Sequence, residues 1–420
     1  MSNNDKQHAL VPRLRFPDFA GQAVRKLQLE DVTTESTIRN EETLTASSVM
    51  GVTKAEGIVP MEERLIASDI TRYKLVQKNW FAYNPMRLNI GSIARWKGMS
   101  DILVSPDYVV FKCLENVEPG IDPAYLDHFR QTDAWKNFVT EGGDGSVRVR
   151  IYYKDIARVQ LALPSRAEQR KIAECLGSLD DLIAAEGRKL AALQEHKKGL
   201  MQQLFPREGE TRPRLRFSEF SGARTWTNEK LDDLAKRGTG HTPNKAKPEY
   251  YNGGIKWVSL ADSKRLDQGL ISVTSIEISD EGIRNSSAVL HPLGTVILSR
   301  DAGVGKSAVL GDQMAVSQHF VVWQCNARRL SNWFLYYHLQ RSKSLFEEIA
   351  TGSTVKTIGI PFFKAMRVTL PEVKEQHRIA DCLSALDARI AGQAANLDAL
   401  RNHKRGLMQQ LFPSPEGAAI

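Results

Sequence analysis

At 420 residues, with 42% hydrophobic and 25% charged side chains, the chain has the size for at least two domains and the composition of an ordinary globular protein. No apolar stretch approaches the roughly 18 residues that span a bilayer, and the start MSNNDKQHAL lacks a signal-peptide core, so the expected place is the cytoplasm, with no membrane partner. An excess of Lys and Arg (57) over Asp and Glu (49) gives a net charge of +8, which favours a polyanionic partner such as nucleic acid.

In chain order, residues 1–163 read as a first globular domain whose segment 1–20 belongs to a repeated frame, because Pro12-Arg-Leu-Arg-Phe16 returns as Pro213-Arg-Leu-Arg-Phe217. The domain reads as α/β (α+β), with a strand over Tyr108–Leu114 and a helix over Asp122–Phe138. Two basic loops carry its candidate DNA contacts: Arg87, Arg95 and Lys97 in the first, Arg148 and Arg150 in the second. Such side chains reach phosphates, while Asn, Gln or Arg read base edges.

Residues 164–206 form a long predicted helix, and residues 371–413 repeat it at a constant offset of 207, with 24 of 43 positions identical. In the first copy Ile172, Leu176, Leu179, Ile183, Leu190, Leu193, Leu200 and Leu204 step by alternating fours and threes, interrupted by Glu186 and Lys197. The second copy places Ile379, Leu383, Leu386, Ile390, Leu397, Leu400, Leu407 and Leu411 on the same steps, interrupted by Gln393 and Lys404. A sustained 3.5-residue period makes a narrow apolar seam that another helix must cover. The two seams can cover each other antiparallel, giving a pseudo-twofold tandem repeat with one domain at each end. Ser165 with Glu168 reads as a capping box, and Leu-Phe-Pro stops each helix.

Residues 207–370, a leading linker and a second α/β domain, hold predicted strands at Ile255–Leu260, Gly294–Ser299 and Phe320–Gln324 and a helix at Ser331–Glu348. The loop Gly238-Thr-Gly-His-Thr-Pro243 supplies Thr239, His241 and Thr242, followed by Lys245, Lys247 and Tyr250. Arg300, Lys306 and Lys356 complete the candidate contacts, and residues 414–420 are a tail. Val104-Ser-Pro-Asp-Tyr-Val-Val-Phe111 returns as Val316-Ser-Gln-His-Phe-Val-Val-Trp323, yet Thr33–Trp80 and Thr242–Arg284 do not align. The frame is doubled and the contents differ.

Enzymatic motifs fail on inspection. Gly303-Val-Gly-Lys-Ser307 has Arg300 where a phosphate-binding loop needs its first glycine, so it reads as a hairpin turn. Tyr83-Asn84-Pro85-Met86 falls short of an adenine-holding methyltransferase motif, and Glu372-Val-Lys374 has no aspartate partner in its own element. Four separated cysteines and nine scattered histidines offer no metal spacing. No catalytic group and no metal are expected.

The order of variable domain, repeated helix, variable domain, repeated helix resembles the specificity subunits of type I restriction-modification systems. The resemblance rests on Glu168-Gln169 with Ile172, Glu375-Gln376 with Ile379, the endings Lys-x-Gly-Leu-Met-Gln-Gln-Leu-Phe-Pro, Pro248-Glu-Tyr-Tyr-Asn-Gly-Gly254 with Trp257-Val258, and Tyr83-Asn-Pro-x-Arg87 with Gly91-Ser-Ile93. It implies two target recognition domains, each reading half of a bipartite, asymmetric sequence in double-stranded DNA, with the helices setting the unspecified spacer. It further implies a non-catalytic chain with no cofactor of its own. Two methyltransferase subunits using S-adenosylmethionine would dock on outward helix faces, and restriction subunits using ATP and Mg would add a motor and nuclease. A coiled-coil scaffold or adaptor without specific DNA binding is the alternative the same helices could serve; a self-sufficient methyltransferase-nuclease would need the motifs that fail above.

Overall fold

The computed structural model describes residues 12–41, 43–141, 150–352 and 356–412, apart from the side chain at 141. The chain divides into two compact units, residues 1–186 with 396–420, and residues 187–395. Both boundaries fall inside the long helices, so each unit holds part of both helix copies.

In the first unit the order is β1 (Arg25–Gln28), α1 (Leu29–Val32), β2 (Thr33–Glu35), β3 (Met50–Thr53), β4 (Gly57–Pro60), β5 (Lys74–Val76), β6 (Phe81–Tyr83), β7 (Ile93–Arg95), β8 (Ile102–Val104), β9 (Val109–Cys113), α2 (Pro123–Phe129), α3 (Asp133–Glu141), α4 (Tyr153–Ile156), β10 (Gln160–Leu163) and the start of α5 (Arg166–Leu204). The central sheet runs β2-β9-β6-β7, antiparallel throughout, with β3-β4 and β5-β8 as separate pairs. One helix was expected over Asp122–Phe138, but two form: Arg130 ends the first turn-bound run and Thr132 turns its hydroxyl back to the Phe129 carbonyl, which interrupts the ladder.

The second unit continues with β11 (Thr227–Lys230), α6 (Leu231–Leu234), β12 (Ala235–Thr239), β13 (Tyr251–Val258), β14 (Leu270–Ile271), β15 (Ile276–Ile278), α7 (Asp280–Arg284), β16 (Leu290–His291), β17 (Val296–Ser299), β18 (Ser307–Leu310), β19 (Met314–Val316), β20 (Phe320–Cys325), α8 (Asn332–Arg341), α9 (Lys343–Ile349), α10 (Ile360–Ala365), β21 (Arg367–Leu370) and α11 (Val373–Leu411). A five-stranded sheet, β12-β20-β17-β18-β14, packs beside a four-stranded one, β15-β13-β19-β16. The helix expected over Ser331–Glu348 is likewise divided, at Ser342, whose hydroxyl donates to the His338 carbonyl.

The repeated sequence forms the same frame in each unit. β1 pairs antiparallel with β10, and β11 with β21, so the strand that enters a unit lies beside the strand that leaves it. Arg15 Nε and Nη2 grip the Glu168 carboxylate at 2.7 and 2.6 Å; Arg216 grips Glu375 at 2.8 and 2.7 Å. Both carboxylates are fully buried. Such fork-on-fork pairing is strong and geometrically demanding. Half of the expected capping box forms: the Glu168 N–H donates weakly to the Ser165 hydroxyl at 3.4 Å, while the Glu168 carboxylate serves Arg15 instead of turning back to Ser165. Next to it, Gln169 donates to the Gly120 and Pro164 carbonyls and accepts from Asp122 N; Gln376 does the same with Arg329, Pro371 and Ser331. The Glu-Gln phrase therefore ties each long helix to the head of α2 or α8.

The long helices run antiparallel within each unit. In the first, Ile172 and Leu176 share a core with Met408, Leu411 and Phe412, and Lys404 pairs with Asp180 at 2.6 Å. In the second, Met201, Leu204 and Phe205 meet Ile379 and Leu383, and Lys197 pairs with Asp387 at 2.5 Å. The offset of 207 carries one ion pair onto the other, which accounts for the lysine that interrupts each seam. All sixteen aliphatic seam residues are buried or half-buried. Phe412 stacks near Tyr125 and Phe129, and Phe205 near Trp226 and Phe334, so Leu-Phe-Pro supplies a core aromatic as well as a stop.

Candidate nucleic-acid interface

Because β12, β20, β17 and β18 alternate in direction, the turn after β12, the turn before β20 and the β17–β18 hairpin emerge along one edge of the five-stranded sheet. This edge gathers Thr239, His241, Thr242, Arg300 and Lys306. Lys356 lies next to Thr357, which bridges to Asp301 of the hairpin. Gly240 is required here, since a Cβ would stand 1.8 Å from the Val316 carbonyl oxygen. The hairpin carries left-handed backbone at Ala302 (φ 45°), Gly303 and Gly305.

The side chains differ in how free they are. Lys306 Nζ is held by the Ser263 carbonyl and hydroxyl at 3.1 and 3.0 Å, and Thr239 donates to the Phe320 carbonyl. Arg300 is half-buried, with its backbone bonded to His319 and Ile358. Thr242 donates to Gln318 Oε1, and His319 Nδ1 stands 2.7 Å from Asp301 Oδ1. Lys245, Lys247 and Tyr250 occupy the segment leading to β13; Lys245 is exposed and Lys247 pairs with Glu249 at 3.6 Å.

The corresponding edge of the first unit is formed by the turn before β9, the segment after β6 and the residues leading to α4. The bond from Ile151 N to the Pro85 carbonyl repeats that from Ile358 N to the Arg300 carbonyl. It sets the exposed Arg150 beside a cavity of about 560 Å³ lined by Lys74, Asn84, Met86, Tyr108 and Tyr152; Arg87, also exposed, follows Met86 in sequence. Leu65, Met86 and Tyr152 expose large apolar surface there. Arg148 lies outside the described residues. Arg95 and Lys97 lie at the far end of β7, where they meet Asp127 at 3.4 and 3.5 Å; Arg95 also donates to Asn79. Burial alone would raise the Asp127 carboxyl, but Arg130, Lys97 and Arg95 hold it below the usual range.

Sequence reasoning passed over Asp301, Gln318 and His319, and the first unit's Tyr108 and Tyr152. The signal was present: the repeated Val-Ser phrase marks where both central strands, β9 and β20, begin. Burial pushes the Cys113 and Cys325 thiols up to about 12, which leaves them unreactive at neutral pH. Among the described residues no cluster of His, Cys, Asp and Glu could hold a metal ion, and no helix is long and apolar enough to cross a membrane.

Residues 223–401 match the type I restriction modification DNA specificity domain. A Methanocaldococcus jannaschii protein described as a type I restriction enzyme MjaX specificity subunit is 22% identical over 361 residues, covering 83% of this chain and 81% of its own. The EcoR124I/EcoR124II specificity subunit of Escherichia coli is 27% identical over 165 residues, 37% of this chain and 40% of that one. The fold is that of the type I S subunit from M. genitalium, with TM-score 0.61 at 11% identity, over 96% and 99% of the two chains. It also matches a chain solved in a study of complex assembly and conformational transition of a type I R-M system, with TM-score 0.57 at 18% identity, over 94% and 99%. Residues 223–401 thus carry a type I restriction modification DNA specificity domain, and most of the chain is similar in sequence and fold to type I specificity subunits.

Proposed function

We propose that this chain reads DNA for a type I restriction-modification complex, with each sheet edge recognising one half of a bipartite, asymmetric target and the antiparallel helices setting the unspecified spacer. The observation that carries the reading is that two units with one frame and unlike contents each gather polar and basic loops on the same edge of the central sheet. The first target recognition domain comprises residues 1–163, the second 207–370. Between and after them come the spacer helices 164–206 and 371–413.

The DNA contacts proposed are Arg87, Arg148 and Arg150 in the first unit and Thr239, His241, Thr242, Lys245, Lys247, Tyr250, Arg300 and Lys356 in the second. Arg95, Lys97 and Lys306, each already engaged by protein groups, contribute by shaping the surface. Catalysis resides in partner subunits. Two methyltransferase subunits carrying S-adenosylmethionine dock on outward helix faces, motor-nuclease subunits supply ATP- and Mg-dependent restriction, and the complex works in the cytoplasm.

The test is a genome-wide map of methylated adenine in a methylation-free host expressing this chain with its methyltransferase, against the methyltransferase alone. A two-part motif with a fixed gap, present only with both, is expected. No new methylation from a soluble, assembled pair would overturn the reading in favour of an adaptor.

A further inference from the structure

We propose that His319, held by Asp301, is a base-reading residue of the second unit, and that its Nε2 accepts a hydrogen bond from a major-groove amino group, adenine N6 or cytosine N4. The inference rests on the DNA-reading role proposed above and assigns it a residue and a chemistry.

His319 immediately precedes β20, which lies between β12 and β17, so its ring sits at the middle of the candidate edge. On one side stands the Thr242–Gln318 pair, on the other Asp301. The His319 side chain remains 31% exposed and Asp301 20%, so the ring reaches solvent while its anchor is largely covered. Asp301 is itself fixed: its carbonyl accepts from the Ser299 hydroxyl at 2.7 Å, it bridges to Thr357, and left-handed Ala302 follows it. Strained backbone of that kind persists where the surroundings over-determine it.

The direction of recognition follows from the donor inventory. A carboxylate offers only acceptors, so the hydrogen between Asp301 and His319 is carried by Nδ1, and in the neutral ring Nε2 presents a lone pair. In the major groove only adenine N6 and cytosine N4 donate, whereas guanine N7 and O6 and thymine O4 accept. A ring locked by its second nitrogen also loses little freedom on binding. The first unit has Asp107 at the place of His319, in the repeated phrase, and Met86 next to Pro85 where Asp301 follows Arg300. The device therefore serves one half-site and not the other. If the pair merely pinned the hairpin to β20, its loss would lower stability without changing which base is preferred.

The experiment uses the chain assembled with its methyltransferase partner and duplexes carrying the mapped target. Each adenine in the second unit's half-site is replaced in turn by purine, and each cytosine by pyrimidin-2-one, which deletes the amino group. One such deletion is expected to weaken wild-type binding about tenfold, the order of a single mismatched contact. His319→Ala is expected to bind that duplex and the unmodified one alike, with affinity for unrelated DNA and its salt dependence unchanged. Asp301→Asn supplies an amide that can donate to Nδ1 and move the ring proton to Nε2; it should lose discrimination at the same position. Wild-type tolerance of every deletion in that half-site would overturn the inference, even should His319→Ala fail to assemble. So would full sensitivity to the deletion in an assembled His319→Ala complex. Absence of any bipartite motif for the wild type would overturn the DNA-reading role itself, and this inference with it.

Discussion

Arg15 closes on Glu168 and Arg216 on Glu375 with almost the same distances, while between these clasps one unit has a four-stranded sheet with two strand pairs and the other a five-stranded sheet beside a four-stranded one. The contrast extends to neighbours on the long helices. Beside Asp387 stands Tyr337, which donates to it at 2.8 Å; beside Asp180 stands His128, 3.9 Å away. The clasp and ion pair that join a unit to the helices are duplicated, whereas parts between the joints have diverged in strand number, loop content and surface chemistry. Such a division lets contact surfaces vary without disturbing the scaffold that sets their positions.

The strongest way to break this comparison is to open the clasps. Glu168→Ala and Glu375→Ala each strand an arginine in a mostly buried site, and each should cost about 3–5 kcal/mol in urea unfolding. Equal losses support an equivalent frame; a neutral result at either position would end the equivalence. The helix ends offer a second comparison. Phe412→Ala and Phe205→Ala should cost roughly 3–4 kcal/mol each, with hydrogen exchange accelerating in the first unit for one and in the second for the other.

A third comparison uses pH. Burial pulls His128 and His338, one in each unit, down to about 4. Their folded values lie below the unfolded one, so the stabilisation is present above about pH 6.5 and is lost as pH falls towards 4, by at most roughly 3 kcal/mol per histidine. The urea midpoint should therefore drop between pH 7 and 5, and drop less in His128→Gln or His338→Gln; an unchanged slope would place these rings outside the cores. The smallest effects belong to the surface. Lys245→Ala and Arg87→Ala should weaken binding on all sequences several-fold and reduce the salt slope by about one each.

Much of the frame was legible in the sequence because repetition and heptad spacing are local patterns. The helices predicted over 164–206 and 371–413 form over Arg166–Leu204 and Val373–Leu411. The strand at Phe320–Gln324 forms over Phe320–Cys325. What stayed hidden depends on partners far away in the chain. Glu168 looks like a capping residue until Arg15, 153 positions earlier, claims it. Gln318 and His319 look like an ordinary turn until Thr242 and Asp301 approach. Arg95 looks free for phosphate until Asp127 of α2 meets it. Charge and glycine content mark a loop but not whether its cations are already bound.

Phe412 and Leu411 complete the core of the first unit, although most of that unit precedes residue 187. On the ribosome, where domains form as their chain emerges, the second unit has all its parts in one uninterrupted run, residues 187–395. The first unit, synthesised earlier, must wait for the last helical turns to arrive and close a loop spanning the whole second unit. Its early surface, with Tyr125, Phe129 and Leu176 uncovered, is therefore exposed to chaperones and proteases for longer than the surface made after it.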